Sequence, residues 1–421
     1  MTHSLQIAVV GAGVIGLCNA LQLARQGHSV TLYDPAGIGE QCSRGNAGHF
    51  ATEQVFPLAD KALLPRIPMM LLDKLSPLRI DHKYFVKASP WLSRFCLNML
   101  PGRFKRHTRA LRALNESALA AFKRLLQEDF ESNINLRGSL LTFEHDRIKE
   151  IRAIQHKYQQ QGVAVELLDR TQLFALEPGL SRCIHYALYF TEVGHTSDPY
   201  QLSQALFQRF SALGGRYVKA EVCAITPLKE GSNSPELTQI KLTTQTHSCR
   251  TFDRLVLATG AWSKTLCAQL GYKLPIEAER GYHNMLPVIS GLSRPVASAD
   301  RQFIMTPMQN GLRLAGTVEF AGLDTRPNYE RAQMLLTHAR AILRDNDALQ
   351  QGEHWMGPRP SLPDSLPVIG RAPNHPNIYF ALGHQHLGLT QAAITSELIA
   401  QCIANQPTTL DIGPYSIARF Q

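Results

Sequence analysis

The sequence predicts an α/β protein: a parallel sheet wound from both chain ends, interrupted by an α+β domain with an antiparallel sheet. Three stretches carry that prediction. They are "LQIAVVGAGVIGLCNALQLARQGHSVTLYDP" at the N-terminus, "FDRLVLATGAWS" at 252–263, and "NIYFALGHQHLGLTQAAITSELIA" at 377–400. Each runs an apolar strand into a glycine turn, and the first and last continue as helices.

In the first stretch, Ile7 to Val10 form a short apolar strand, and Gly11, Gly13 and Gly16 spell G-x-G-x-x-G at the turn into a helix. Gly11 permits the tight turn, Gly13 lets the backbone approach a pyrophosphate, and Gly16 lets helix and strand pack closely. Val14 and Ile15 open the helix, whose free N–H groups and positive dipole end suit phosphates. The helix pattern ends near Gly27, and "SVTLYD" is a second strand ending at Asp34. That acid is placed to accept hydrogen bonds from ribose hydroxyls. Strand, turn, helix, second strand and terminal acid in register make a Rossmann-like dinucleotide site.

The fingerprint does not separate NAD from FAD. "QCSRGNAGHF" (41–50) follows with small and polar residues that bring backbone near a ligand, and "ATG" closes the strand of 252–263. In 377–400 a strand enters a Gly/His turn and a helix starts near Gly388. A helix N-terminus aimed at a flavin's pyrimidine edge would stabilise negative charge there. "GHQH" could also be read as a His-x-His metal site, but no third ligand stands at recognisable spacing.

Composition bounds the rest. A chain of 421 residues with 44% hydrophobic and 18% charged residues is that of a globular enzyme. Its formal charge of +9 selects no partner. The basic run "PGRFKRHTRALRAL" (101–114) reads as a solvated helix face, and no nucleic-acid motif accompanies it. The eight cysteines have no C-x-x-C spacing and read as reduced thiols, mostly in the core, of a cytoplasmic protein. "MTHSLQIAVVGAG" does not read as a signal peptide. The apolar segment 62–80, with Arg and Lys interspersed, reads as packed surface, with peripheral contact on the inner face of a membrane as the alternative.

Together, the N-terminal fingerprint, "GNAG", "ATGAWS", "MGPRPSLPDSLPVIG", "ERGYHNML" and "GHQHLGLT" resemble the D-amino-acid oxidase superfamily of FAD enzymes. Within it they look most like the bacterial D-amino-acid dehydrogenases, including those acting on D-proline and hydroxyproline-type imino acids. Glycine and sarcosine oxidases share the architecture. The resemblance implies that Gly11, Gly13, Val14, Ile15, Gly16 and Asp34 hold the ADP portion of FAD. It places Ser43, Asn46, Ala47 and Gly48 on the flavin and ribityl side, with Val222 at the adenine. Thr259, Gly260 and Trp262 would close over the diphosphate, and Gly383, Leu387, Gly388, Leu389 and Thr390 would lie at the isoalloxazine. Where the sarcosine-oxidase branch has its flavin-linking cysteine this chain has Gly357, which implies non-covalent FAD. That branch's carboxylate-binding lysine falls near Leu387, which cannot do the job; His386 would supply a weaker polar contact.

Arg359 lies between Pro358 and Pro360, and the resemblance implies that it clasps the substrate carboxylate. A guanidinium can pair both carboxylate oxygens and stays charged in a dry pocket. The bracing alternative pairs it with Asp364. The implied reaction is oxidative deamination of an amino or imino acid, with electrons passing to a quinone or electron-transfer chain. Tyr282, His49 and His384 are equal candidates for accepting the ammonium proton. An oxygen-using glycine or sarcosine-type oxidase, a tRNA-modifying or NAD-linked enzyme, and a non-catalytic flavin subunit are the rival readings. The expected FAD domain takes 1–86, 191–270 and 355–421, and the substrate domain 87–190 and 271–354. Strands of one antiparallel sheet are expected in 136–146, 276–289 and 303–320, and helices over 117–130 and 329–343.

Overall fold

Ile7 to Val10 are buried on both faces of their strand, so the strand needs neighbours on either side and cover above and below. The computed structural model of the chain, which describes residues 4–65, 67–73, 75–229, 237–288, 291–345 and 349–421, supplies both. Gln6–Val10 pairs in parallel with Ser29–Tyr33 on one side and Arg254–Leu257 on the other. Arg216–Val218 and His375–Leu382 extend the sheet in parallel, and Val368–Ala372 closes one edge antiparallel. Ile7 and Val9 face a core made with the helices Val14–Arg25, Pro199–Ala212 and Gly388–Ile403. Ala8 and Val10 face the other way, toward a three-stranded antiparallel sheet (Val222–Lys229, Leu237–Thr244, Cys249–Phe252) and the helix Ser263–Gln269.

The second sheet has ten strands. It contains Ser139–Phe143, Glu277–Leu286, Phe303–Met308, Gly311–Ala315 and Val318–Phe320, which unite the three stretches expected to share a sheet. It is mixed rather than purely antiparallel. Val296–Ser298 runs parallel to Ser139–Phe143, and Val318–Phe320 parallel to Leu78–Ile80.

Three expectations need correction. Glu353–Ser361 reads in sequence as a stiff turn of the nucleotide domain, yet it is extended and pairs antiparallel with Glu277–Leu286 in the ten-stranded sheet. Pro358 and Pro360 lie two residues apart, so both turn the missing N–H to the same side of the strand, which an edge tolerates. The helices Pro101–Glu116 and Ala118–Leu126 bury Leu111, Leu114, Phe122 and Leu125 in the same cluster as Leu17 and Ile394. They therefore pack on the nucleotide sheet's layer, although they fall in the stretch assigned to the substrate domain. Ala118–Leu126 also stops earlier than its pattern suggests, because Gln127 takes φ 53°.

All eight cysteines are free, but only Cys18 and Cys267 are buried; Cys96, Cys223 and Cys249 are exposed. The segment 62–80 is not packed throughout: Leu64, Met69 and Leu75 are exposed. Arg66 and Lys74 of that segment lie outside the described residues. Among the described residues no helix is long and apolar enough to cross a membrane.

Candidate active site

A cavity of about 990 Å³ runs from the first glycine turn to Arg359, lined from both large sheets. That is the upper end of the usual ligand-pocket range of roughly 300–1,000 Å³.

At its nucleotide end, Gly11 has φ +106°, and a Cβ there would stand 2.3 Å from the Ala258 carbonyl oxygen. A Cβ on Gly16 would stand 1.7 Å from the Gly11 oxygen. Gly16 therefore serves helix–strand packing and does not line the cavity. The Val14 N–H, at the open helix end, donates to Ser43 Oγ at 2.9 Å. Asp34 accepts from the Ala12 N–H at Oδ2 and the Ala36 N–H at Oδ1, each at 2.8 Å. Oδ1 also accepts from the Gly37 N–H at 3.2 Å; a carboxylate has about four lone-pair sites, so it can tie this turn and still accept a ribose hydroxyl. Val222, Thr259, Gly260 and Trp262 complete this end with Gly13 and Ile15. No atom lies within 4 Å of where a Gly260 Cβ would stand. An exposed helix N-terminus, open space over a glycine and a carboxylate with spare acceptors fit the pyrophosphate and ribose of a dinucleotide.

The middle is built from the loop of 44–48. Asn46 Oδ1 accepts from the Gly48 N–H at 2.8 Å, and Ala47 and Asn46 line the cavity. Gly48 (φ +71°) turns away and packs on the Thr196 carbonyl. From the second sheet, Arg313 donates to the carbonyl oxygens of Asn46 (2.5 Å) and Arg44 (3.2 Å). His283 Nδ1 lies 3.0 Å from the Gly45 oxygen, and its ring stacks on Trp355 with centroids 5.1 Å apart. Burial first, then the Arg313 charge, pushes the His283 pKa down to about 3, so the ring is neutral and Nδ1–H donates. The Trp355 indole fills the space that side chains at Gly45 and Gly357 would occupy, their Cβ atoms falling 2.3 and 2.0 Å from the ring. Gly357 thus makes room for a tryptophan. None of Arg313, His283 and Trp355 was singled out by sequence reasoning. The available signal was alternation along "ERGYHNML", which sends Glu279, Gly281 and His283 to one face.

The terminal turn contributes Gly383, His384, His386, Gly388 and Leu389 to the lining. Leu387 is buried in the core, and Thr390 Oγ1 accepts from the Ala51 N–H at 2.9 Å; neither lines the cavity. His384 Nε2 pairs with Thr395 Oγ1 at 3.0 Å, and burial pushes its pKa down to about 3. His386 is likewise held neutral by burial, its pKa near 4.

At the far end, Arg359 Nη1 donates to Glu279 Oε1 and to the Thr317 carbonyl, both at 3.1 Å. Ser361 Oγ donates to the other Glu279 oxygen at 2.7 Å. The bracing acid is therefore Glu279, eighty residues away in sequence. Asp364 instead pairs with Arg419 at 2.7 Å. Arg359 Nη2 sits over Gly281, where a Cβ would stand 2.2 Å from it. The Tyr282 hydroxyl is committed elsewhere: it donates to Glu319 Oε2 at 2.5 Å and accepts from the Asn328 N–H at 3.0 Å. His49, also in the lining, lies 3.4 Å from the buried acid Glu53. No cluster of three metal-ligating side chains occurs among the described residues.

The sequence profile of the family described as FAD dependent oxidoreductase matches residues 6–402. A D-amino-acid oxidase of Bradyrhizobium diazoefficiens is 33% identical over 435 aligned positions, covering all of both chains. A protein named D-amino acid dehydrogenase 2 from Ralstonia nicotianae is 30% identical, over 99% of this chain and all of the relative. Among solved structures, glycine oxidase from Geobacillus kaustophilus superposes with a TM-score of 0.75 at 21% identity, over 99% of each chain. L-proline dehydrogenase from P. horikoshii gives 0.75 at 19% identity, over 100% of this chain and 98% of the other. A glycine-cradled helix end, a cavity long enough for a dinucleotide and a family match over nearly the whole length converge: the chain belongs to the FAD dependent oxidoreductase family.

Proposed function

We propose that this FAD-dependent oxidoreductase deaminates a D-amino or imino acid, with FAD held non-covalently and electrons passed to a quinone or electron-transfer chain. When bound, FAD supplies at N5 the acceptor for the hydride equivalent leaving the substrate Cα. The protein's part is to bind, orient and exclude water.

The observation that carries the reading is the Arg359 guanidinium. Its Nη1 is anchored on Glu279 and Thr317, while among the described residues Nε and Nη2 make no hydrogen bond. An anchored fork with one open edge in a cavity is the geometry that pairs both oxygens of a carboxylate. Glu279 offsets the Arg359 charge, so the end of the cavity is neutral overall and suits a zwitterion better than a simple anion. Gly281, with no Cβ, gives the guanidinium the room to lie against the strand. With the carboxylate fixed there, the α-carbon takes one orientation toward the flavin.

For the acceptor, the support is a surface. Leu64, Met69 (69% exposed), Leu75, Phe85, Val86 (78% exposed), Leu97 and Leu100 all stand out within 64–100. The exposed Arg103, Lys105, Arg106 and Arg109 follow on the next helix. An apolar face beside basic residues suits an anionic bilayer, where a quinone is soluble.

The test is anaerobic bleaching of purified yellow protein by D- and L-amino acids, glycine, sarcosine and prolines. Bleaching by a D-amino or imino acid, with slow reoxidation by air and fast reoxidation by a quinone, is the expected result. Rapid peroxide formation matching turnover would replace the quinone with oxygen. Colour retained in an acid-precipitated pellet would overturn non-covalent binding.

A further inference from the structure

His49 and Glu53 form a buried polar pair in the wall of the cavity. Their atoms Nε2 and Oε1 are 3.4 Å apart, with side chains only 11% and 4% exposed. The contact is not aligned as a hydrogen bond, and among the described residues His49 Nε2 and Glu53 Oε2 have no hydrogen-bond partner. Leaving buried polar atoms unsatisfied is costly, so the fold keeps them against its own stability. Glu53 also has a second face. A smaller cavity of about 270 Å³ lies on its other side, lined by Arg112, Glu116, Gly162 and Glu192. The Arg112 and Glu116 side chains are 39% and 67% exposed, so this cavity opens to solvent. Glu53 is a wall shared by the active-site cavity and the outer one.

We propose that His49 and Glu53 form a proton relay that carries the proton of the substrate ammonium from the active-site cavity to solvent through the outer cavity. This rests on the amino-acid reading above. The substrate N–H bond breaks and its electron pair stays on nitrogen, ready to assist departure of the Cα hydride. The proton joins His49 at Nδ1, and the Nε2 proton passes to Glu53 Oε1. Glu53 releases a proton from Oε2 to solvent in the outer cavity. One proton has moved out; His49 is left protonated on Nδ1 and Glu53 on Oε1, and return of both protons to Nε2 and Oε2 resets the pair before the next turnover. A long, poorly aligned contact in the unliganded site is what such a pair shows before substrate tightens it.

The electrostatics argue against a fixed ion pair. Burial pushes the Glu53 pKa up to about 8 and the His49 pKa down to about 4, so each is easily left neutral near pH 7. The titratable groups around the pair are His195, His386 and Tyr158 on the inner side and Arg112, Glu116 and Glu192 on the outer. The two inner histidines are held neutral by burial, with pKa values near 4, and the Tyr158 pKa is raised. What singles out His49 among the three histidines is its place 3.4 Å from Glu53.

The test compares wild-type holoenzyme with Glu53→Gln and Glu53→Asp, mixed anaerobically with D-proline and D-alanine in a weak buffer containing a pH indicator. In the wild type, dye-detected proton release should keep pace with flavin bleaching. In Glu53→Gln, bleaching should slow by about a hundredfold near pH 7. That deficit should shrink as pH rises toward the amine pKa, where the substrate arrives already neutral. Glu53→Asp should recover part of the rate, and it carries the test alone if Glu53→Gln does not retain FAD. Infrared spectra without substrate give a second readout: a protonated-carboxyl band near pH 7 that is absent in Glu53→Gln. A deficit independent of pH, wild-type bleaching in Glu53→Gln, or no such band overturns the relay. If no amino or imino acid bleaches even the wild type, the functional reading itself fails.

Discussion

The two ends of the cavity are built in opposite ways. The nucleotide end is made of backbone: Gly11, Gly13 and the helix amides, tied by Asp34 from within one βαβ unit. The far end is made of side chains brought from distant segments, with Arg359 on Glu279 and Thr317, and His49 beside Glu53; it is the end proposed to hold the substrate. Backbone sites tolerate almost no added atom and recognise generic phosphates; side-chain sites are adjustable and recognise particular groups. Changes at the first end should therefore act on FAD occupancy, and changes at the second on turnover and specificity.

The largest effect is expected at Arg359. Arg359→Lys keeps a cation for Glu279 but removes the planar fork. Losing that pairing should cost roughly 2–5 kcal/mol in kcat/KM, on the order of 30- to several-thousand-fold. FAD content and Tm should barely change. Arg359→Ala should in addition lower Tm, because it leaves Glu279 buried and unpaired. Equal loss with carboxylate-bearing and decarboxylated substrates would sink the carboxylate role.

Next comes Gly11→Ala, which breaks the comparison from the other side. Its Cβ meets the Ala258 carbonyl at 2.3 Å, a backbone atom that cannot step aside. Strain and overpacking of about 3 kcal/mol should appear as lost FAD and lower Tm. The fraction that keeps FAD should turn over at the wild-type rate per flavin. A specific activity per bound FAD that falls tenfold would show the two ends to be coupled.

Acid should separate the ends as well. Burial lowers the pKa of His49, His283, His384 and His386, all outside the nucleotide end. Below the unfolded value of about 6.5 the unfolded chain binds protons that the folded chain refuses, so stability falls as pH drops from there toward 3. For His384, whose folded pKa is about 3, the loss between pH 6.5 and 5 is about 2 kcal/mol. His384→Gln should flatten that slope in thermal melts. An unchanged slope would mean that His384 titrates normally.

The smallest effect is expected at Asp34. Asp34→Asn keeps an acceptor oxygen for only part of the three backbone N–H bonds, from Ala12, Ala36 and Gly37, and loses charge, so FAD should bind about tenfold more weakly, or about 1.4 kcal/mol. Turnover per bound flavin should be unaffected. Equilibrium dialysis of FAD measures it directly.

Legibility in sequence followed the same division. The nucleotide end was readable because Gly11, Gly13, Gly16 and Asp34 sit in one local unit whose geometry depends on nearby residues. Arg359 was readable because a lone guanidinium between two prolines in an uncharged stretch needs a reason. Its partner was not: Asp364 is five residues away, while Glu279 reaches it through pairing of Glu277–Leu286 with Glu353–Ser361. Tyr282 was weighed as a proton acceptor, but its hydroxyl is held by Glu319 and Asn328. The alternation that turns Glu279 and Gly281 toward Arg359 follows from strand register, not from residue type.

The sequence by itself determined the strand–turn–helix units of the parallel sheet and the dinucleotide turn, because each depends on spacing within a short stretch; the role of Arg359 it marked only through the family resemblance. Only the tertiary structure decided that Glu279 anchors Arg359, that Trp355 occupies the space left by Gly45 and Gly357, and that Glu53 divides two cavities. Those relations join residues far apart in the chain, and strand pairing alone brings them within hydrogen-bond or van der Waals range.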